Sequence, residues 1–202
     1  MDLALFDFDG TLTHDEAFSR FIKASMTPAR ILKGYLSLGP MILGYKMGRV
    51  KGTVLRQRIV SLALQGRKRD DLNDLGKAFA RDVIPRLLRS DAMQQLAWHK
   101  NQGDLVVVVS ASLEFYLAPW CQAHKLELIC SRLDSDDGLL NGRYIDGDCT
   151  GSEKSRRILD SYDLKRFRKV YAYGDTYEDF EMLKLADIKF YRGKQLDDDF
   201  IA

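Results

Sequence analysis

The chain has 202 residues, 46% of them hydrophobic, with 31 Lys and Arg against 29 Asp and Glu. That length suits one domain, or a core domain carrying a smaller insert, and a net charge of +2 gives no electrostatic case for nucleic acid. The three cysteines, Cys121, Cys130 and Cys149, are odd in number and form no C-x-x-C pair, so neither a disulfide framework nor a thiolate metal site is indicated and a reducing cytoplasm is the expected compartment.

No repeat or low-complexity tract interrupts the sequence. Near the start, Asp2 follows Met1 and a short apolar run ends in Asp7 and Asp9. That is no signal-peptide pattern, and residues 3–8 read as a buried strand. From about residue 15 to 89 the chain is predicted helical almost throughout. Apolar residues recur at helical spacing in Ala17, Phe18, Phe21, Ile22 and again in Val54, Leu55, Ile59, Leu62, with Pro28, Gly48 and Gly66 as punctuation. Residues 31–47 are the most membrane-like stretch. Lys33 and Lys46 bracket it, Gly34, Gly39, Pro40 and Gly44 interrupt it, and its charge-free part falls well short of the ~20 residues that span a bilayer. A pair of apolar helices is expected there. The alternative is a surface that dips into a membrane or binds a lipid-like substrate, chiefly along residues 36–43.

Beyond residue 90 the pattern changes. Residues 91–102 read as a helix closed by Gly103. Residues 105–109 are a valine-rich apolar run, the signature of a strand buried on both faces. A helix over 113–124 and a strand over 126–130 follow, then Asp-Gly and Asn-Gly steps within 134–147 that suggest a hairpin. A helix over 152–162, a strand over 169–173, a helix over 177–185 and a strand over 188–191 complete the reading. This alternation implies an α/β fold with a doubly wound, mostly parallel sheet. Residues 1–14 and 90–202 form the expected core, and residues 15–89 a helical cap inserted into it.

Ligands of such sheets bind beyond the C-terminal strand ends, and four groups stand there: Asp7-Phe8-Asp9-Gly10-Thr11, Ser110, Lys154 at the start of a helix, and Gly174-Asp175-Thr176-Tyr177-Glu178-Asp179. Taken singly each has a plain reading, since a strand-end Asp or Ser is often a helix cap and a lone helical Lys is usually solvated. Together they gather acids, a hydroxyl and an ammonium at one sheet edge, which suits phosphoryl transfer. A phosphate dianion repels a carboxylate nucleophile, so its charge must be neutralised first. Mg²⁺ does this with oxygen ligands; Asp7 and Asp175 can supply two, and the Asp9 main-chain carbonyl a third. Lys154 adds charge between nucleophile and phosphate, and Ser110 can donate to a phosphate oxygen. Carboxylates form aspartyl-phosphates in known enzymes. Asp9 can serve as acid to the leaving alcohol and base to water, and Asp179 can hold a metal-bound water.

The order DFDGT, strand–Ser110, Lys154, GDTYED resembles the haloacid dehalogenase superfamily of phosphohydrolases over nearly the whole chain. The resemblance implies Asp7 as nucleophile, Asp9 as acid/base, and Asp7 and Asp175 as side-chain magnesium ligands, in a hydrolase of small phosphate esters. The dehalogenase members lack the second motif Asp, so Asp9 argues for phosphate esters over carbon–halogen bonds. The helical insert resembles the cap of phosphoserine phosphatases. By that likeness Glu16 faces a substrate ammonium and Arg58, within Leu55-Arg56-Gln57-Arg58-Ile59, grips its carboxylate, with Ser110 and Ala111 lining the substrate site. Gly10 for Ser, Ser110-Ala111-Ser112 for Ser-Gly-Gly and Thr176 for Gly are departures that leave the substrate open. Lipid phosphates such as phosphatidylglycerophosphate, and a catalytically silent phosphate sensor, are the alternatives.

Overall fold

The computed structural model describes residues 1–196, apart from the side chains of Lys33 and Tyr35. In chain order the elements are β1 (Leu3–Phe6), α1 (Ala17–Ser25), α2 (Pro28–Lys46), α3 (Gly52–Leu64), α4 (Arg69–Asp82), α5 (Ser90–Asn101), β2 (Leu105–Leu113), α6 (Glu114–His124), β3 (Glu127–Ser131), β4 (Leu133–Asp136), β5 (Leu139–Tyr144), α7 (Ser152–Ser161), β6 (Val170–Gly174), α8 (Phe180–Leu183), β7 (Ile188–Tyr191) and β8 (Lys194–Gln195).

Six strands form one sheet in the order β3-β2-β1-β6-β7-β8. All pairings are parallel except β7 with β8, so the doubly wound sheet expected from the alternation is present. The short β8 was not expected; the positive φ of Arg192 and Gly193 folds it back onto β7. Strand β1 lies between β2 and β6, which leave it in opposite directions. That reversal is the switch point at which such sheets bind ligands. The 134–147 segment forms the separate β4–β5 hairpin, turned by Asp137-Gly138 at positive φ. Gly142, where the second dipeptide sits, is also at positive φ, and its backbone lies against Ser61 of α3.

Alternation along β1 and β2 loads both sheet faces. Leu3, Leu5, Val107 and Val109 pack with Ile158 of α7 and Met182 and Leu183 of α8. Ala4, Phe6, Val106 and Val108 pack with Leu96 of α5 and Tyr116 and Trp120 of α6. Phe21 and Ile22 of α1, Val60 and Leu64 of α3, and Leu72 and Phe79 of α4 belong to the same cluster as that second face. The inserted helices therefore share the core instead of building their own. The two strands of chain that lead into and out of the insert run side by side: His14 N donates to Leu87 O and Arg89 N to Leu12 O, each at 2.9 Å.

Helix α4 rests directly on α6. A Cβ added at Gly76 would lie 2.0 Å from the Phe115 carbonyl oxygen. In an open helix Gly→Ala stabilises by about 1 kcal/mol; here the backbone contact reverses the sign. Gly76→Ala is expected to destabilise the fold by at least about 2 kcal/mol, read as a lower urea midpoint at unchanged slope. An unshifted midpoint would mean that α4 stands off α6.

Candidate active site

The loop after β1 is held at both ends. Asp7 N donates to Tyr173 O at 2.9 Å, which seats the loop against β6 beside Asp175, and Thr13 N returns to Phe8 O at 3.0 Å. Between them Gly10 adopts φ +85, and a Cβ there would lie 2.3 Å from Asp175 Oδ2. Backbone conformation and space both require glycine at this position.

Lys154, on the first turn of α7, is buried with its Nζ 2.5 Å from Asp7 Oδ1 and 2.6 Å from Asp179 Oδ1. Asp179 spends its other oxygen on the loop after β6, accepting from Asp175 N at 3.1 Å and Thr176 N at 3.0 Å. This is a capping box with Thr176. Gly174 is needed alongside it, since a Cβ there would fall 2.5 Å from the Asp179 Cβ. Thr11 Oγ1 donates to Asp175 Oδ1 at 3.3 Å. Asp7, Asp175 and Asp179 thus each bring a carboxylate oxygen within 4.8 Å of the others.

One ammonium cannot neutralise three clustered carboxylates. Burial pushes the Asp7 carboxyl well above the ordinary range, against the pull of Lys154, and the Asp179 and Asp9 charges add to it. Burial, then the Asp179 charge, raises Asp175. The flanking acids hold the Lys154 ammonium firmly protonated despite its burial. A set of hard carboxylate oxygens with unbalanced negative charge fits a hard divalent cation.

Asp9 is engaged separately. Its Oδ1 accepts from Ala17 N at 2.5 Å and its Oδ2 from the Ser112 hydroxyl, whose oxygen in turn accepts from buried Tyr116 Oη at 2.6 Å. Burial raises its pKa to about 6, partly offset by the Ser112 and Ala17 hydrogen bonds. Ser110 is buried, and its Oγ accepts from Ser112 N at 3.1 Å, leaving its own proton to be donated elsewhere.

These groups line one cleft of about 470 Å³. Asp7, Asp9, Ser110, Ala111, Lys154, Asp175 and Asp179 all face it, as does Glu16, which accepts from Ser19 Oγ at 2.8 Å near the rim. Arg58 does not. It lines grooves on the other side of α3, with Leu38 and Met41 and with Tyr144 and Asp148. Its expected grip on a substrate carboxylate is corrected to that extent: a step of two residues turns a helix by roughly 200°, so it is Arg56 that faces the cleft. Arg56 is already paired, at 2.9 Å with Asp148 and 3.1 Å with Glu178, and the charges of those two acids hold its guanidinium firmly protonated against burial. Thr11, Arg56 and Ser112 stand inside motifs read in the sequence but were given no role of their own there, and Tyr116 was not singled out. The period-2 spacing of Ser110 and Ser112 was the one available signal.

The likeness suggested by the motifs can be set against known proteins. A family model described as haloacid dehalogenase-like hydrolase matches residues 4–184. The chain belongs to the haloacid dehalogenase-like hydrolase family. Within reach of this hydrolase, protein CicA of Caulobacter vibrioides (strain NA1000 / CB15N) is 35% identical over 192 residues, covering 94% of this chain and 85% of CicA. A protein of unknown function from Bordetella pertussis Tohama I has the same fold, with a TM-score of 0.80 at 23% identity over 93% of this chain and 88% of that one. A substrate-bound phosphoserine phosphatase superposes with a TM-score of 0.67 at 19% identity, covering 94% of this chain and 85% of that one. At these identities the two structures speak for the fold alone, and for this family member the fold puts the acid cluster at the switch point.

Proposed function

We propose that the protein hydrolyses phosphate monoesters through a phosphoryl ester on Asp7. The observation that carries this reading is the gathering of Asp7, Asp175 and Asp179 around Lys154, with Asp9 facing the same cleft. Asp7 attacks phosphorus and the ester oxygen departs. Asp9, whose carboxyl keeps a proton up to about pH 6, gives that proton to the leaving oxygen; as a carboxylate it then takes one from the water that cleaves the aspartyl-phosphate. Lys154 and the Ser110 hydroxyl hold the phosphoryl oxygens between them. Asp7 and Asp175, with Asp179 behind them, would hold Mg²⁺, which neutralises phosphate charge as the carboxylate approaches.

Residues 15–89 serve as the cap in this reading. The Arg56 pairs with Asp148 and Glu178 tie α3 to loops of the core and are the contacts that opening for substrate exchange would break. The substrate is a small phosphorylated metabolite. Phosphoserine keeps Glu16 as a partner for its ammonium, but its carboxylate finds Arg56 already neutralised. A lipid phosphate is the second reading. It is favoured by Phe18, Leu55 and Ile59 in the cleft wall.

Release of phosphate from an aryl phosphate tests the class. Turnover is expected with Mg²⁺ and should vanish on chelation with EDTA, returning on re-addition. No release under any of these conditions would favour the silent sensor. Phosphoserine and phosphatidylglycerophosphate, compared by kcat/KM, then separate the two substrate readings.

A further inference from the structure

Charge is distributed very unevenly along this chain. Twelve of its 31 Lys and Arg fall between residues 17 and 69, and none of its 29 Asp and Glu. The remainder carries 19 basic against 29 acidic residues. An acid-free run of that length folds into α1, α2 and α3, with α3 packed against both of the others, while acids line the cleft beside it.

Part of that charge is absorbed by the fold. Arg20 pairs with Asp15, Arg56 with Asp148 and Glu178, and Arg69 with Glu114. Arg30 donates to Ala63 O and Arg67 to Ser25 O. Lys46, Arg49 and Lys51 are different. All three are exposed at the turn from α2 to α3, and among the described residues none of them makes an ion pair.

An apolar row runs up to the same turn. Leu32, Leu36, Leu43 and Met47 are 63%, 76%, 58% and 52% exposed. Their spacings of four, seven and four residues put them on one side of α2 and its C-cap. Large leucines exposed in a row, ending in a cluster of unpaired cations, make a surface whose two halves ask for one partner. No described helix is long and apolar enough to cross a membrane.

We infer that the Leu32–Leu36–Leu43–Met47 row and the Lys46–Arg49–Lys51 turn form a docking surface for an anionic phospholipid bilayer. The leucines enter the interfacial region and the cations meet the head groups. Nucleic acid would satisfy the cations and leave the leucines in water. A second copy joined through this face would cover the leucines but bring like charges of the two turns together. An anionic bilayer satisfies both. Tyr45 and Gly52, which flank the turn, line the cleft, so a docked bilayer would lie beside the cleft mouth. The inference does not depend on the reaction proposed above.

Flotation of the full-length protein with phosphatidylcholine vesicles, with and without phosphatidylglycerol, tests it. The protein is expected to float with the anionic vesicles only, and the bound fraction should fall as salt is raised. Lys46→Glu/Arg49→Glu and, separately, Leu36→Asp/Leu43→Asp are each expected to reduce binding at least about tenfold. Both pairs are exposed and outside the cleft, so circular dichroism and aryl phosphate turnover should match wild type. Absence of flotation at low salt, or unchanged flotation of both variants, overturns the inference. So does selective binding of single-stranded RNA in place of vesicles, or a dimer by light scattering that Leu36→Asp/Leu43→Asp dissolves.

Discussion

Replacing Asp7 with Asn is expected to abolish turnover, by at least about three orders of magnitude, while the protein folds as before. The magnitude follows from removing the nucleophile: an amide oxygen does not attack phosphorus, and a thousandfold loss corresponds to about 4 kcal/mol of barrier. Preservation of the fold follows from the surroundings. Asn keeps the volume of Asp and an oxygen that can accept from Lys154, and Lys154 retains its 2.6 Å pair with Asp179. A buried carboxyl that the fold holds reluctantly as an anion is exchanged for a neutral group, so thermal stability should move little. Rapid quench of wild type with labelled substrate should trap label on the protein, and the variant should trap none. Activity within tenfold of wild type, or label retained by Asp7→Asn, would move the nucleophile elsewhere.

The parts of the site legible in the sequence were those placed by topology. Asp7, Ser110 and Asp175 stand where parallel strands end, and a doubly wound sheet has to bring neighbouring ends together. Asp179 follows within one turn of Asp175. Lys154 could be read because α7 opens at the same edge. What could not be read depends on phase or on contact between distant segments. Arg56 and Arg58 are equivalent in composition, and only the packing of α3, with Leu55 and Val60 buried, decides which guanidinium faces the cleft. The valine strand was expected to stop at residue 109, yet β2 continues to Leu113. That extension brings Ser112 to Asp9 and Tyr116 to Ser112. Gly10 was visible as a departure from a motif, but the need for glycine there lies in the approach of Asp175 from the far half of the chain. The insert was legible as helical; that it shares one core with the sheet rests on contacts such as Gly76 against Phe115, which local periodicity does not encode.

Replacing Lys154 with Met is expected to cost both activity and stability. Met matches the length of the lysine stem, but it leaves Asp7 and Asp179 facing each other without the ammonium that now lies 2.5 and 2.6 Å from them. Removing one partner of a buried charge cluster leaves uncompensated charge, a loss of about 3 to 5 kcal/mol. The pH dependence gives the signature. A buried carboxyl has a folded-state pKa above its unfolded value, as Asp7 already has through burial, so the folded variant holds a proton that the unfolded chain releases. Such a group stabilises below its unfolded pKa, and that contribution disappears as pH rises through the folded value. The deficit of Lys154→Met relative to wild type should therefore widen from pH 5 to pH 8. It should narrow when millimolar Mg²⁺ is added: a cation bound to the folded state alone stabilises it by mass action, and the variant, with one positive charge fewer among the acids, is expected to bind the ion more tightly than wild type. Urea midpoints at the two pH values, with and without Mg²⁺, measure both effects. A deficit below about 1 kcal/mol that ignores pH and Mg²⁺ would mean that Lys154 does not neutralise a shared acid cluster, and the proposed chemistry would lose the group that lets a carboxylate approach a phosphate.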